Sequence, residues 1–244
     1  MHTFLIEAPC LPGQPAALPP GEAHHALRVL RVKPGEAVCL TDGRGGRWSG
    51  KVCSVGDGQV VCQVDAPLPQ AESPARITLY QGLPKADKLE LIAQKAAELG
   101  VAALYPVAMT RSVTRWNQKE AEKKRERLER IAQEAMKQCG RSRLMQVGPL
   151  LSWAQALAAM AAHPLMIMPW EEAAEGRMAQ LGARFPEARD IGILIGPEGG
   201  IAQEEAGAAE AAGAHTVTLG PRILRCETAA ICACALAQSL WGDV

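Results

Sequence analysis

The sequence predicts an α/β protein in which a small β-barrel precedes a larger domain built on a parallel sheet. Three observations support this. The first 74 of the 244 residues alternate short apolar runs with glycine-rich turns, as β-hairpins do. From about residue 75, strand patterns alternate with amphipathic helical patterns, which is typical of a parallel sheet covered by helices. A polar, proline-containing stretch at 67–74 separates the two patterns, so we predict domains at 1–72 and 75–244.

The strands of the first domain are predicted by alternation of apolar and polar residues. Residues 37–41 and 59–64 show this alternation most clearly, and glycine-rich turns at 42–46 and 56–58 lie between them. Short strands joined by tight turns each bury one face, so we expect them to close into a small barrel.

Five short apolar runs predict the strands of the second domain. Runs of this length between helical patterns are typical of strands that are buried on both faces of a parallel sheet. They occupy residues 77–81, 101–107, 165–168, 191–195 and 216–219.

Apolar residues at helical spacing predict the first helix of the second domain. Residues 87–99 place Leu89, Ile92 and Ala96 on one face, and Gly100 follows at the position where glycine commonly ends a helix. The apolar stripe indicates that this face packs on the sheet.

Two further helices differ in their polarity. Residues 118–139 combine an apolar stripe with a charged face, and we place Lys137 on the charged face. Residues 228–241 are apolar on nearly every side. A helix of that kind needs cover from its own domain or from a second subunit.

Charge is distributed unevenly along a chain whose formal net charge is zero. Residues 1–74 carry 6 basic and 7 acidic side chains, residues 75–143 carry 15 and 8, and residues 144–244 carry 5 and 11. A central basic segment is compatible with a nucleic-acid footprint. A charged, solvated helix face is the simpler alternative and stays open.

Composition and spacing exclude several classes of protein. No apolar run is long enough to span a membrane, and the first 20 residues lack the pattern of a signal peptide, so we expect a cytoplasmic protein. The five histidines and eight cysteines show no metal-ligand spacing, so we expect no metal and mostly buried free thiols. The cysteines are Cys10, Cys39, Cys53, Cys62, Cys139, Cys226, Cys232 and Cys234.

A glycine-rich turn, Ile-Gly-Pro-Glu-Gly-Gly at 195–200, directly follows the predicted strand 191–195. In open α/β sheets, ligands bind at the carboxyl ends of the strands. The turn lacks a Lys-Ser/Thr pair and does not match G-x-G-x-x-G, and Glu198 would repel a phosphate. The pattern therefore favours a ligand without phosphates, and a tight turn with an exposed glutamate is the open alternative.

A second segment leaves the last predicted strand and enters the final helix. Here Arg222 and Arg225 flank the apolar pair Ile223 and Leu224. One interpretation is that Arg225 and Glu227 merely balance the helix start. The other is that the apolar pair and backbone amides grip a flat base, while Arg225 faces a polar partner.

Together these motifs resemble the RsmE family, the uridine-N3 methyltransferases of 16S ribosomal RNA in the SPOUT superfamily. The resemblance covers almost the whole chain, with the motifs in order. It rests on Leu219-Gly-Pro-Arg-Ile-Leu-Arg-Cys-Glu-Thr-Ala229, on the turn at 195–200, and on residues 24–31, 83–101 and 138–143. One departure is Met145, which stands where the family usually has proline, so the path of the loop after Arg143 is in question.

The resemblance implies an N-terminal PUA-like β-barrel and a C-terminal SPOUT α/β domain whose last segments form a trefoil knot. It implies a homodimer with S-adenosylmethionine in the knot loops and 16S ribosomal RNA, within the small ribosomal subunit, as substrate. The implied cofactor-binding residues are Met168, Pro169, Gly196, Pro197, Glu198, Gly199, Gly200, Leu219, Gly220, Ile223, Leu224 and Arg225.

Basic and polar residues of the matching motifs are predicted to hold RNA, mainly through its phosphates. They are His25, Arg28, Arg31, Lys85, Lys88, Lys95, Arg111, Gln138, Arg141 and Arg143.

Two residues are candidates for catalysis. Arg225 would stabilise the anion that develops when uridine N3 loses its proton. Glu198 is a candidate base, with Glu227 as the other nearby carboxylate, and the base itself stays unassigned. The alternatives are a related methyltransferase acting on transfer RNA or another ribosomal position, a non-catalytic RNA-binding protein, and, least supported, an enzyme of nucleotide phosphates.

Overall fold

A computed structural model describes residues 1–7, 11–173 and 176–244. Contacts within the chain divide it into two compact units. Unit 1 comprises Met1–Glu72 together with Met136–Leu144, and unit 2 comprises Ser73–Ala135 with Met145–Val244. The linear division at about residue 73 did not anticipate that a later segment of the chain packs into unit 1.

Unit 1 contains a five-stranded sheet in the order β1-β3-β4-β5-β2. β1 and β3 run parallel, and the remaining neighbours are antiparallel. Apolar side chains such as Phe4, Leu40 and Val60 are fully buried between them. The strands are β1 His2–Leu5, β2 Pro15–Ala17, β3 Ala37–Thr41, β4 Arg47–Gly56 and β5 Gln59–Pro67. The two strands predicted here, 37–41 and 59–64, are confirmed.

A short helix, α1, follows β2 at Pro20–His25 and continues into a π-helical turn at Ala26–Leu30. Glu22 on α1 is buried, and its carboxylate accepts a hydrogen bond from the Lys137 ammonium at 2.8 Å. Both side chains are less than a tenth exposed. The prediction that Lys137 lies on a solvated helix face is therefore wrong, because the segment from Met136 onward packs into unit 1 and not into solvent.

Unit 2 is built on an all-parallel sheet in the order β12-β10-β11-β6-β7-β8, with β9 also paired to β7. The interior strands are almost continuously buried, as expected for a sheet covered on both faces. The strands are β6 Arg76–Gly82, β7 Ala103–Ala108, β8 Gln146–Val147, β9 Leu151–Ser152, β10 Leu165–Pro169, β11 Asp190–Ile195 and β12 Ala214–Val217.

All five predicted strands of this sheet are present, with one shift that affects the site. The last strand ends at Val217, two residues before the predicted end, so Thr218 and Leu219 belong to the following loop. The helices are α2 Lys88–Glu98, α3 Gln118–Cys139, α4 Trp153–Met160, α5 Met178–Arg184, α6 Gln203–Ala211 and α7 Cys226–Trp241. Short α4 and α5 were not predicted, because one or two turns give little periodic signal.

The apolar final helix α7 is covered mostly by its own unit. It packs on α2, α5, β6 and β11 and buries side chains including Ala233, Cys234 and Trp241. The Trp241 indole N–H donates to the Phe185 carbonyl at 2.8 Å. Leu236 remains 38% exposed.

The cysteines are free thiols throughout the described residues, and Cys10 lies outside them. Four are buried, one is half-buried, and Cys53 and Cys139 are exposed. The described ranges contain no cluster of three or more potential metal ligands. None of their helices combines the length and hydropathy of a membrane-spanning segment.

Candidate functional site

The carboxyl ends of four neighbouring strands, β6, β10, β11 and β12, define one edge of the unit 2 sheet. Each is followed by a loop, which the structure describes at residues 83–87, 170–173 with 176–177, 196–202 and 218–225. Both glycine-containing motifs singled out in the sequence are among these loops. This is the edge at which parallel α/β sheets bind ligands.

The glycine-rich loop at 196–200 packs so closely against its neighbours that a side chain would not fit at the glycines where they touch. The Gly200 N–H donates to the Pro197 carbonyl at 2.9 Å, and Gly200 has a left-handed φ of 73°. A β-carbon at Gly82 would lie 2.6 Å from Pro197 Cδ, and one at Gly199 would lie 2.9 Å from the Arg111 carbonyl oxygen. The glycines therefore allow β6 and the β7 loop to contact this loop directly.

Glu198 at the tip of this loop is held by two donors. The Lys85 backbone N–H reaches its two carboxylate oxygens at 3.0 and 3.2 Å, and Lys88 Nζ reaches Oε1 at 2.9 Å. Burial alone would raise the pKa of Glu198, but the Lys88 ammonium and the Lys85 N–H outweigh it and lower the pKa below its ordinary value. Glu198 is therefore ionised and already engaged.

Lys88 also reaches the second motif. Its Nζ lies 3.3 Å from Glu227 Oε2, at the start of α7. Hydrogen bonding to Glu198 and Glu227 raises the pKa of Lys88, against a smaller opposing effect of burial. Burial would raise the pKa of Glu227, but its backbone hydrogen bond, the Cys226 thiol and Lys88 lower it. This lysine is thus an ammonium ion between two carboxylates.

A cleft of about 780 Å³ opens beside these loops, within the usual size range of small-molecule sites. Its walls are the loop after β10, the start of α5, the loop after β12 and one face of α7. The lining is mainly apolar, and its charged side chains are Glu171, Arg177 and Arg222. Such a lining suits a largely apolar ligand that carries charges of both signs.

The structure brings five of the predicted cofactor residues to the cleft: Pro169, Leu219, Gly220, Ile223 and Leu224. Met168 is fully buried in β10 and does not line it. The glycine-rich loop is adjacent and not part of the lining: a β-carbon at Gly200 would fall 2.0 Å from Glu171 Oε1. Arg225 is exposed at the position that precedes α7.

Sequence reasoning missed Trp170, Glu171, Arg177 and Met178, which also line the cleft. They follow β10 in a stretch that carries charged residues but matches no recognised motif. The available signal was position alone: residues after a central parallel strand lie at the ligand-binding edge.

The basic residues of unit 2 that were predicted to hold RNA differ in their availability. Lys85 is exposed, and only its backbone N–H is used by Glu198. Lys88 is engaged as described, and Lys95 is ion-paired with Glu98 at 2.7 Å. Arg111 is exposed, but its Nη1 donates to the Gly199 carbonyl at 3.3 Å. Two of the four therefore have carboxylate partners, and a third contacts the glycine-rich loop.

The predicted RNA residues of unit 1 are mostly on its surface. Arg28, Arg31, Gln138 and Arg143 are exposed, and His25 is half-buried.

Arg141 differs, because it is only 6% exposed and its Nη2 pairs with Glu72 at 2.9 Å. Glu72 also accepts from the N–H groups of Ser142 and Arg143, at 2.8 and 2.7 Å. The expectation of an exposed phosphate-binding side chain at Arg141 is thus not met: this arginine fixes the loop that precedes Met145. Met145 itself is 1% exposed and belongs to unit 2.

Family models match both parts of the chain. Residues 71–238 match an RNA methyltransferase domain, and residues 18–65 match an RNA methyltransferase PUA domain. The second match confirms the predicted PUA-like N-terminal part.

Curated relatives match over most of the chain. The ribosomal RNA small subunit methyltransferase E of Bacillus subtilis is 35% identical, over 85% of this chain and 83% of its own. The protein of the same name from Mycobacterium tuberculosis is 33% identical, over 94% and 89%.

Solved structures agree over nearly the whole chain. A ribosomal RNA small subunit methyltransferase E from Neisseria gonorrhoeae, bound to S-adenosylmethionine, superimposes with a TM-score of 0.88. It is 34% identical and covers 100% of this chain and 99% of its own. A putative methyltransferase from Legionella pneumophila, also bound to that cofactor, has a TM-score of 0.88 at 29% identity, covering 99% and 98%. This chain belongs to the ribosomal RNA small subunit methyltransferase E family.

Proposed function

We propose that this protein transfers a methyl group from S-adenosylmethionine to N3 of a uridine in the 16S ribosomal RNA of the small subunit. The observation that carries the proposal is the cleft at the carboxyl edge of the parallel sheet. It is lined by the loop after β12, and it abuts the glycine-rich loop after β11; both loops are among the segments on which the resemblance rests. Family membership supplies the reaction and the RNA.

The residues at the cleft suit S-adenosylmethionine. Apolar side chains of Leu219, Ile223 and Leu224 offer a surface for the flat adenine ring. The amino-acid part of the cofactor carries an ammonium and a carboxylate. In the cleft, Glu171 would pair with the ammonium, and Arg177 and Arg222 would pair with the carboxylate. When bound, the cofactor supplies a methyl group that is already activated on a positively charged sulfur.

What the chain must then do is position the uridine and favour its deprotonated form. We assign this role to Arg225, because it is exposed at the end of the loop that lines the cleft and immediately precedes the first turn of α7. The amino end of a helix adds a partial positive charge in the same place. We assign to Arg225 the stabilisation of negative charge on the base as the N3 proton leaves.

Glu198 and Glu227 are poor candidates for accepting that proton. Both carboxylates are hydrogen-bonded to Lys88, and both have a pKa below the ordinary value, which weakens them as bases. Electrostatic stabilisation by Arg225 therefore carries the proposed mechanism, with transfer of the proton to water.

The RNA would contact the protein through exposed cations of both units, each of which offers its own surface. Unit 1 presents Arg28, Arg31 and Arg143, and unit 2 presents Lys85 and Arg111. Such contacts position a substrate mainly through its phosphates, so binding should weaken steeply as salt is raised. An affinity that does not change with salt would contradict this surface.

Three further features belong to the proposal through the family resemblance. They are a trefoil knot formed by the last segments, a homodimer and a cytoplasmic location. The dimer rests on the resemblance alone, because the exposed Leu236 of α7 already lines the cleft. Sedimentation equilibrium tests the dimer directly.

The deciding experiment is methyl transfer from labelled S-adenosylmethionine to small ribosomal subunits and to free RNA from a strain that lacks the enzyme. Nucleoside analysis should show N3-methyluridine. A different methylated nucleoside, or label in transfer RNA, would indicate a related methyltransferase. Absence of cofactor binding by calorimetry would indicate a non-catalytic RNA-binding protein.

In the same assay, Arg225→Ala should reduce the rate of methyl transfer about a hundredfold at saturating cofactor and RNA. Full activity in that variant would exclude the role assigned to Arg225.

A further inference from the structure

We infer that Lys88 is a positioning residue that ties the glycine-rich loop to the loop that lines the cleft, and that it does not serve as an RNA contact. The inference rests on the proposed function, since it concerns the cleft assigned to S-adenosylmethionine and the loop beside it. It also assigns Glu198 and Glu227 to holding these loops in place and not to proton transfer.

Three chain segments that are far apart in sequence meet at this lysine. Lys88 is the first residue of α2, Glu198 is at the tip of the glycine-rich loop after β11, and Glu227 is in the first turn of α7. Lys88 Nζ lies 2.9 Å from Glu198 and 3.3 Å from Glu227. A lysine ammonium has three donors, so it bonds to two carboxylates at once.

The position of each carboxylate fixes a loop. Glu198 lies within the glycine-rich loop, and Glu227 lies two residues after the loop that lines the cleft. Lys88 therefore sets the separation between the two loops. Lys85 strengthens the connection through Glu198, because its backbone N–H donates to both oxygens of that carboxylate.

The electrostatics require a cation at this place. Two carboxylates bonded to one nitrogen have their nearest oxygens within about 6 Å of each other, a distance at which like charges repel appreciably. Both glutamates nevertheless have a lowered pKa, as expected if the ammonium outweighs their mutual repulsion. Removal of the ammonium leaves repulsion alone between the two loops.

The geometry also argues against a contact with RNA phosphates. The Lys88 side chain is only 27% exposed, and two carboxylates already surround its charge. A phosphate approaching Lys88 would meet the negative charge of Glu198 and Glu227 as well. Lys123 on α3, by contrast, is exposed and forms no ion pair within the described residues.

The test is the Lys88→Gln variant of the full-length protein, with Lys123→Gln as the control that removes an equal charge from an exposed helix. Calorimetry with S-adenosylmethionine alone should show affinity at least about tenfold weaker for Lys88→Gln and unchanged for Lys123→Gln. Lys88→Arg, which keeps the charge and two or more donors, should recover most of the loss. Affinity for small ribosomal subunits should be the same in the two Gln variants.

Hydrogen exchange of the ligand-free protein separates this inference from the proposed function. In Lys88→Gln, amides at 196–200 and at the start of α7 should exchange faster together, while those of β7 keep their wild-type rate. If Lys88→Gln does not fold, Glu227→Gln removes only the ion pair between Lys88 and Glu227. Amides in the same two segments should then exchange faster than in the wild type.

Unchanged exchange and cofactor affinity in Lys88→Gln, with weaker binding of ribosomal subunits only, would overturn the inference. Wild-type protein that fails to bind the cofactor would instead overturn the proposed function, and the exchange result would still decide the role of Lys88.

Discussion

The buried ion pair between Glu22 and Lys137 gives the sharpest prediction about stability. Lys137→Met keeps the length and apolar stem of the side chain but removes the ammonium that lies 2.8 Å from the Glu22 carboxylate. The two side chains are 9% and 7% exposed, so water cannot replace the lost partner. Removing one member of a buried pair costs about 3 to 5 kcal/mol.

The effect is measurable as a shift of the urea midpoint. For a unit of this size an m-value of about 1 to 1.5 kcal/mol/M is expected, so the urea midpoint of unit 1 should fall by about 2 to 5 M. Pulsed hydrogen exchange across a urea series, read on the peptides of β3 and β5, follows unit 1 directly. Lys51→Met is the control, because Lys51 is exposed on β4.

The double variant Glu22→Leu/Lys137→Met tests the stated cause. Because it removes both charges, it should recover at least half of the loss caused by Lys137→Met. The reasoning is refuted if Lys137→Met shifts the midpoint no more than Lys51→Met does, or if the double variant is less stable than the single one.

Three further outcomes follow from the site. Gly82→Ala should weaken cofactor affinity about tenfold by calorimetry, because the new β-carbon would lie 2.6 Å from the glycine-rich loop, whereas Gly207→Ala, which meets open space on α6, should leave it unchanged. Burial raises the pKa of the Cys226 thiol to about 12, so at pH 8 about one molecule in ten thousand carries the thiolate. Mass spectrometry after brief alkylation should find Cys53 modified and Cys226 intact, and equal labelling of the two cysteines would contradict the raised pKa. The pKa of Glu198 in the folded protein is below its ordinary value, so the stability that its charge contributes is complete above that ordinary value and is lost as pH falls through the folded pKa. The difference in Tm between wild type and Glu198→Gln should therefore be constant from pH 8 to 6 and shrink below about pH 4.5. A difference in Tm that grows on acidification would contradict the lowered pKa.

The sequence predicted the architecture because local patterns carry that information. Alternation marked the strands of unit 1, buried apolar runs marked those of unit 2, and helical spacing marked α2, α3 and α7. These periodicities follow from which face of an element meets the core. Motif recognition then identified the family, which the comparisons show, and five residues of the predicted cofactor set line the cleft.

What the sequence did not determine was the partner of each charged side chain. Lys137, Lys88 and Arg141 were all assigned from sequence to a solvated face or to RNA. In the structure they pair with Glu22, with Glu198 and Glu227, and with Glu72, residues between 69 and 139 positions away.

The physical reason is the range over which each kind of information acts. Burial of an apolar face repeats along the chain, so it can be predicted from neighbouring residues. An ion pair between distant segments leaves no periodic trace, because it depends on where the completed fold places two side chains. The sequence by itself thus determined the fold class, the family and the edge of the sheet that forms the site. Only the tertiary structure decided which cations are available to RNA and which hold the protein together.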